Sequence, residues 1–223
     1  MQSFFNSTVG KKILMAVTGQ AMVFFVIIHV IGNSTIFVDG LNGYAERLHS
    51  LPVLVWLTRL IMLAVISTHV FFSIQLTLEN WKSKPEKYAV QKHLRSTFAS
   101  RNMIWSGLII GLFLIYHLMH FTFQIISPDL AAANNLDALG RPDVAHMVIS
   151  GFQNFFIALI YISALVALVL HLIHGIQSSI QTIGLNNDRT LPLIITSGAI
   201  AAIVLFIGYV SIPTSILLNI VKG

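Results

Sequence analysis

Residues 147–180 read MVISGFQNFFIALIYISALVALVLHLIHGIQSSI, a long run without one Asp, Glu, Lys or Arg that carries two histidines, His171 and His174. Crossing a hydrocarbon layer of roughly 30 Å takes about 20 mostly apolar helical residues, so this stretch is long enough to span a membrane as a helix. Four further stretches qualify on the same ground, at about 13–36, 51–79, 102–127 and 191–219. The expectation is an all-α integral membrane bundle of five transmembrane helices forming one membrane domain over residues 1–223. The first stretch follows Lys11 and Lys12 as a signal peptide would, but its apolar run is too long and lacks a small-residue cleavage site, so it is read as a retained helix.

Composition agrees. The 223 residues are 56% hydrophobic and 9% charged, against roughly 25% charged in a soluble domain, and mean hydropathy is +0.82. The polar connectors are too short to be domains of their own. With no cysteine, disulfides, thiolate-ligated haem, covalent haem attachment and iron–sulfur ligation by this chain are excluded. The net charge of +5 does not indicate a nucleic-acid partner, because the basic residues cluster as membrane topology requires. With the N-terminus cytoplasmic, Lys11, Lys12, Lys82, Lys84, Lys87, Lys92, Arg95, Arg101 and Arg189 lie inside, against Arg47, Arg141 and Lys222 outside. The 80–101 connector is expected to hold a short surface helix after Pro85, and 128–146 is the longer external loop, with a Gly-Arg-Pro turn signal. No repeat of 20–50 residues is evident.

Six of the nine histidines fall in the apolar stretches: His29, His69, His117, His120, His171 and His174. Ionisable side chains in a membrane are costly and usually face the bundle interior. A single one is as well read as a hydrogen-bonded structural histidine; six on four successive helices are not. His29 lies 17 residues beyond Lys12 and His117 lies 16 beyond Arg101, so at about 1.5 Å per residue both reach the outer half of the bundle. His69 and His171, on stretches running inward, belong to the inner half. Two pairs at two depths, joining non-sequential helices, match bis-histidine ligation of two stacked haems in a four-helix bundle. A metal-only site or a proton pump is disfavoured by the lack of carboxylates in the spans. In the third stretch depth favours His117 over His120, whereas in the fourth the spacing does not choose between His171 and His174. Gly175 beside them would let a porphyrin edge approach the backbone.

Along its length the chain resembles the five-helix, di-haem cytochrome b subunit of succinate dehydrogenases and fumarate reductases, the type with one large membrane anchor. The residues that carry this are the NSTVGKK start at Asn6–Lys12 followed by MAVTGQ, His29-x-x-x-Asn33, His69, Gly107 ten residues before His117, and His171-x-x-x-Gly175. The resemblance implies that His29 and His117 ligate an outer haem and His69 and His171 an inner one. It further implies an iron–sulfur subunit and a flavoprotein subunit with FAD as partners, a quinone substrate (usually menaquinone), residence in a bacterial inner membrane, and room for a higher oligomer of the complex. The dicarboxylate chemistry would lie on a partner subunit. A glutamate that some fumarate reductases of this type carry two residues before the fourth-helix ligand is Val169 here, which puts proton transfer by that route in doubt. Another quinone-linked cytochrome b, of a hydrogenase or formate dehydrogenase, is the alternative.

Haem propionates need cationic partners in a low-dielectric setting. Arg101, Arg95 and His93 are the candidates for the inner haem and Arg59 for the outer; Arg59 is equally readable as snorkelling to the interface. Polar groups that could line a quinone pocket are Gln20, Asn33, Glu46, His49, His120 and Gln124.

Overall fold

The structure, a computed structural model, describes residue 4, residues 7–83 and residues 97–222. Among these it contains eight helices and no strand. They are α1 (Thr8–Ser34), α2 (Leu41–His49), α3 (Pro52–Lys82), α4 (Phe98–Arg101), α5 (Met103–His117), α6 (Val144–Gln153), α7 (Phe155–Thr182) and α8 (Leu191–Leu217). Five of them, α1, α3, α5, α7 and α8, are long and apolar enough to cross a membrane, α1 and α5 being prolonged by short turns to Val38 and Thr122. The surface helix expected after Pro85 lies outside the described residues.

Local chemistry sets the ends. Ser7 Oγ accepts the Gly10 amide at 3.0 Å and starts α1. At its far end Asn33, Ser34 and Thr35 turn their side chains back onto the carbonyls of His29, Val30 and Gly32, filling acceptors that a helix end leaves open. Pro52 opens α3 and Pro192 opens α8, where the missing amide hydrogen costs nothing.

Two expected spans differ. The 147–180 stretch is not one helix, because Asn154 takes an extended conformation (φ −75°, ψ 114°) and its side chain accepts the amides of Phe156 and Ile157 at 3.0 and 3.3 Å. This cap starts α7 afresh and leaves α6 as a separate segment whose Met147, Val148, Ile149 and Phe152 are buried against Ile36, Leu41, Ile212 and Ile216. The 102–127 stretch leaves α-geometry after His117, passes through a wider turn at Leu118–Thr122 and stops at Gln124, whose φ is +56°. Gln124 Oε1 then accepts the Ala132 amide at 3.1 Å and fastens the following loop.

Packing runs α1 on α3, α1 on α7 and α5 on α7, with α8 laid along α7 and α1. In this chain of contacts α1 and α5 occupy one diagonal of a four-helix bundle and α3 and α7 the other. The α8 seam is tight because its small residues admit the neighbours: Ala202 is fully buried, and a Cβ on Gly198 would stand 3.3 Å from Ile176. Elsewhere the long helices expose Phe24, Leu63, Leu112 and Val204, as a lipid-facing surface requires.

Candidate functional site

The diagonal helices bring the histidines together in two pairs. His29 of α1 faces His117 of α5 with ring centroids 5.9 Å apart, and His69 of α3 faces His171 of α7 at 6.4 Å. His69 packs on Gly19 and His171 on Gly107, each glycine ten residues before the other pair's histidine on the same helix. The two pairs are therefore about 15 Å apart along the bundle. His171 rather than His174 is the α7 ring that meets His69. His117 rather than His120 meets His29.

The His69–His171 pair is held by hydrogen bonds. His69 Nδ1 lies 3.1 Å from the Met15 carbonyl and 3.3 Å from Thr18 Oγ1. A carbonyl can only accept, so Nδ1 carries the proton and Nε2 keeps its lone pair. Thr18 donates its own hydrogen to the Leu14 carbonyl at 2.7 Å, which leaves its oxygen free to accept from His69. His171 is arranged similarly: Nδ1 is 3.1 Å from Ser106 Oγ, and the Ser106 hydroxyl donates to the Met103 carbonyl at 3.1 Å, which leaves its oxygen free to accept from His171.

Aromatic rings hold the other pair. His29 stacks on Phe25 at 5.4 Å and lies 6.2 Å from Tyr209, whose hydroxyl donates to the Val26 carbonyl at 2.7 Å. His117 packs against Phe113, Phe121 and Tyr161. Tyr161 Oη lies 3.4 Å from His117 Nδ1 and 3.0 Å from His120 Nδ1, so one hydroxyl serves two imidazoles, donating to one and accepting from the other. His120, 3% exposed, stacks on Phe121 and backs onto Gly151.

The other expected site residues do not converge. Gln20 bonds Ser179, roughly 20 Å along α1 from Asn33, whose side chain is spent on the His29 carbonyl. His49 bonds Ala45 within α2. Glu46 lies 3.3 Å from Arg141. Arg59 sits over Trp56 at 5.1 Å on an exposed face of α3, and Arg101 ends α4, exposed. His93 and Arg95 lie outside the described residues.

Each end of the bundle carries a charged clasp. Near the chain start, buried Lys11 meets Glu79 at 2.5 Å, tying α1 to α3. At the opposite end Asp137 accepts the Arg141 side chain at 2.7 and 2.8 Å and the Arg141 and Leu139 amides at 2.9 Å. These bonds, led by the Arg141 side chain, hold the Asp137 carboxyl down at about 2 and push the guanidinium further up. Asn42 joins this loop to α2 by donating to Asp143 at 2.9 Å and accepting the Ala145 amide at 2.8 Å.

Thr18, Ser106 and Tyr161 were not among the residues the sequence singled out. Nothing local marks Tyr161 within an apolar run. For Thr18 and Ser106 a signal exists: each follows a methionine by three residues, precedes a glycine by one and precedes a histidine by eleven.

Neither a curated protein nor a solved structure matches the chain. Residues 83–207, more than half its length, match the family described as succinate dehydrogenase/fumarate reductase transmembrane subunit. With five apolar spans arranged as above, the protein belongs to that family of membrane subunits.

Proposed function

We propose that this chain is the cytochrome b anchor of a succinate:quinone oxidoreductase and carries two b haems, one between His29 and His117 and one between His69 and His171. The observation that carries the reading is the meeting of two imidazole pairs, 5.9 and 6.4 Å between centroids, on diagonal helices of a chain from this family. Two metal–nitrogen bonds of about 2 Å each, plus the two ring radii, require close to this separation. Among the described residues no third His, Cys, Asp or Glu joins either pair to make a metal-binding group. A bare zinc ion takes about four protein ligands, whereas haem iron brings its own four nitrogens and needs only two axial ones. Nothing lies within 4 Å of a Cβ added at Gly111 or Gly175, so both leave bare backbone near the ligands.

Bound haem would supply reversible one-electron storage. The chain's own residues would supply the rest: the four imidazoles, the oxygens behind Nδ1 of His69 and His171, and a dry apolar setting that governs potential. We place the N-terminus, and with it the His69–His171 site, toward the cytoplasm on the positive-inside count, next to an iron–sulfur and flavoprotein pair; the His29–His117 site is then the outer one. Arg59 lies ten residues before His69 on α3, which brings it level with the outer pair as a propionate partner, and Arg101 is its counterpart at the inner end. A membrane quinone, menaquinone by family habit, would exchange electrons with this chain, in the direction that the cell's redox supply sets.

The test is a reduced-minus-oxidised spectrum of the chain with its copurifying partners, with haem counted per polypeptide. Two b haems are expected in the parent, and one is lost or disrupted in each of His29→Ala, His69→Ala, His117→Ala and His171→Ala. A colourless parent, or two haems retained in these variants, overturns the reading.

A further inference from the structure

Short sequence patterns recur in the chain at displacements of 88 and 102 residues. Met15-x-x-Thr18-Gly19-x5-Phe25-x-Ile27-x-His29 recurs as Met103-x-x-Ser106-Gly107-x5-Phe113-x-Ile115-x-His117, every matched position displaced by 88 residues. On the partner helices His69-x4-Ile74-Gln75 recurs as His171-x4-Ile176-Gln177, displaced by 102.

Shared residue types in apolar helices would mean little alone, but the contacts recur as well. Phe25 and Phe113 each lie against the histidine four residues on, at 5.4 and 5.8 Å. A Cβ on Gly19 or Gly107 would stand 3.4 or 3.5 Å from the Cε1 of His69 or His171. Thr18 and Ser106 meet the Nδ1 atoms of those histidines at 3.3 and 3.1 Å. The Met103 carbonyl accepts the Ser106 hydroxyl at 3.1 Å, whereas the Met15 carbonyl lies 3.1 Å from both the Thr18 hydroxyl and His69 Nδ1. The α1–α3 and α5–α7 hairpins are thus two copies of one unit, each giving one histidine to each pair.

The match fails at one informative place. The position that holds Tyr161 in the second unit holds Arg59 in the first, so the tyrosine that reaches His117 has no equivalent at His29. The glycine and hydroxyl contacts recur around His69 and His171, whereas around His29 and His117 the phenylalanine recurs and the tyrosine does not.

We propose that Thr18 and Ser106 are paired positioning residues for the His69–His171 haem. Each hydroxyl, with its own hydrogen spent on a carbonyl of its helix, accepts the Nδ1–H of the ligand in its own hairpin. The bond fixes the tautomer that presents Nε2 to iron and makes the imidazole more electron-rich, which favours the ferric state. At His69 the Met15 carbonyl makes the same kind of bond, so there the hydroxyl tunes the site rather than creates it. This inference rests on the haem reading above.

The experiment is redox titration of the purified complex, following each haem by its optical and low-temperature EPR signals, with His69→Ala identifying which signal belongs to this pair. Thr18→Val and Ser106→Ala should each shift its ferric/ferrous equilibrium about threefold toward ferrous, roughly 28 mV upward at 59 mV per decade. The double variant should shift about tenfold, roughly 59 mV. Thr18→Ser and Ser106→Thr, which keep the hydroxyl, should leave it in place, and the other haem should not move in any variant. Loss of this haem alone in Thr18→Val, with retention in Thr18→Ser, also supports the proposal. A parent with two haems whose potentials ignore the hydroxyls, or variants that disturb both haems equally, overturns it while leaving the haem assignment standing. A parent without haem overturns both.

Discussion

The two histidine pairs differ in what holds them. His69 and His171 each meet a hydroxyl oxygen through Nδ1 on the adjacent helix of the same hairpin, His69 with a backbone carbonyl besides. His29 and His117 sit among Phe25, Phe113, Phe121, Tyr209 and Tyr161, and the second of them shares a single tyrosine hydroxyl with His120. A backbone carbonyl is an acceptor that cannot turn away, so it sets one tautomer. A tyrosine hydroxyl between two imidazoles can point its hydrogen either way, and the ring it serves is correspondingly less constrained. One membrane chain thus places two imidazole pairs of the same composition in different settings by changing both their hydrogen-bond partners and the rings packed around them.

The largest test of this contrast separates the neighbours on one helix. On the haem reading His117→Ala removes an axial ligand and abolishes the corresponding haem signal, whereas His120→Ala leaves both haems countable by pyridine haemochrome assay. Loss of haem in the second variant alone would reverse the two assignments.

Next in size is the Lys11 clasp beside the hydrogen-bonded pair. Lys11→Ala leaves Glu79, at the end of α3, with only the Gln75 amide that donates to the same oxygen at 3.2 Å. Because the Glu79 side chain is 40% exposed, water recovers part of what a fully buried carboxylate would lose. A loss of about 1–2 kcal/mol is expected, read as a lower unfolding midpoint of the solubilised complex. An unchanged midpoint would mean that the pair is solvated and does not tie α1 to α3.

Tyr161→Phe sharpens the comparison directly, since it deletes a hydroxyl and keeps the ring. The cost of one shared hydrogen bond is roughly 1 kcal/mol. The expected result is a moved potential for the His29–His117 haem and an unmoved one for the His69–His171 haem in the same titration; equal movement of both would sink the separation of the two environments.

The smallest effect lies in the loop that closes the aromatic end. The Asp137 carboxyl is held at about 2 against an ordinary 3.8, so its clasp contributes fully above the ordinary value and loses that contribution as pH falls from about 4 through about 2. Amide exchange at Leu139 and Arg141, whose hydrogens it accepts, should lose protection across that window. In Asp137→Asn the dependence should vanish.

Much of this was legible in the sequence. The five spans follow from runs of apolar residues, and depth matched His29 with His117 and set His69 against the histidines of the fourth stretch, because a helix advances at a fixed rise per residue and a membrane aligns the starting points; the choice of His171 there came from the family resemblance. Asn154 shows where that reasoning stops: a capping side chain in an apolar run breaks a helix that hydropathy would continue, since hydropathy averages over a window and a cap acts at one residue. His171 and His174 are nearly equivalent in sequence, and only the rotation of α7 against α3 separates them. Thr18 and Ser106 could have been found by comparing the chain with itself at a displacement of 88 residues, but their role could not, because a hydroxyl three residues after a methionine in a membrane helix is usually turned onto its own backbone.

By itself, then, the sequence determined the number of membrane-length apolar spans and the spacing of each histidine along its span, both of which depend on one-dimensional spacing and the transfer cost of polar groups. Only the tertiary structure decided which imidazole of α7 meets His69 and which oxygen stands behind each ring. Those depend on helix rotation and side-chain packing, where a shift of one residue turns a side chain by about 100° and no local pattern in the chain records the result.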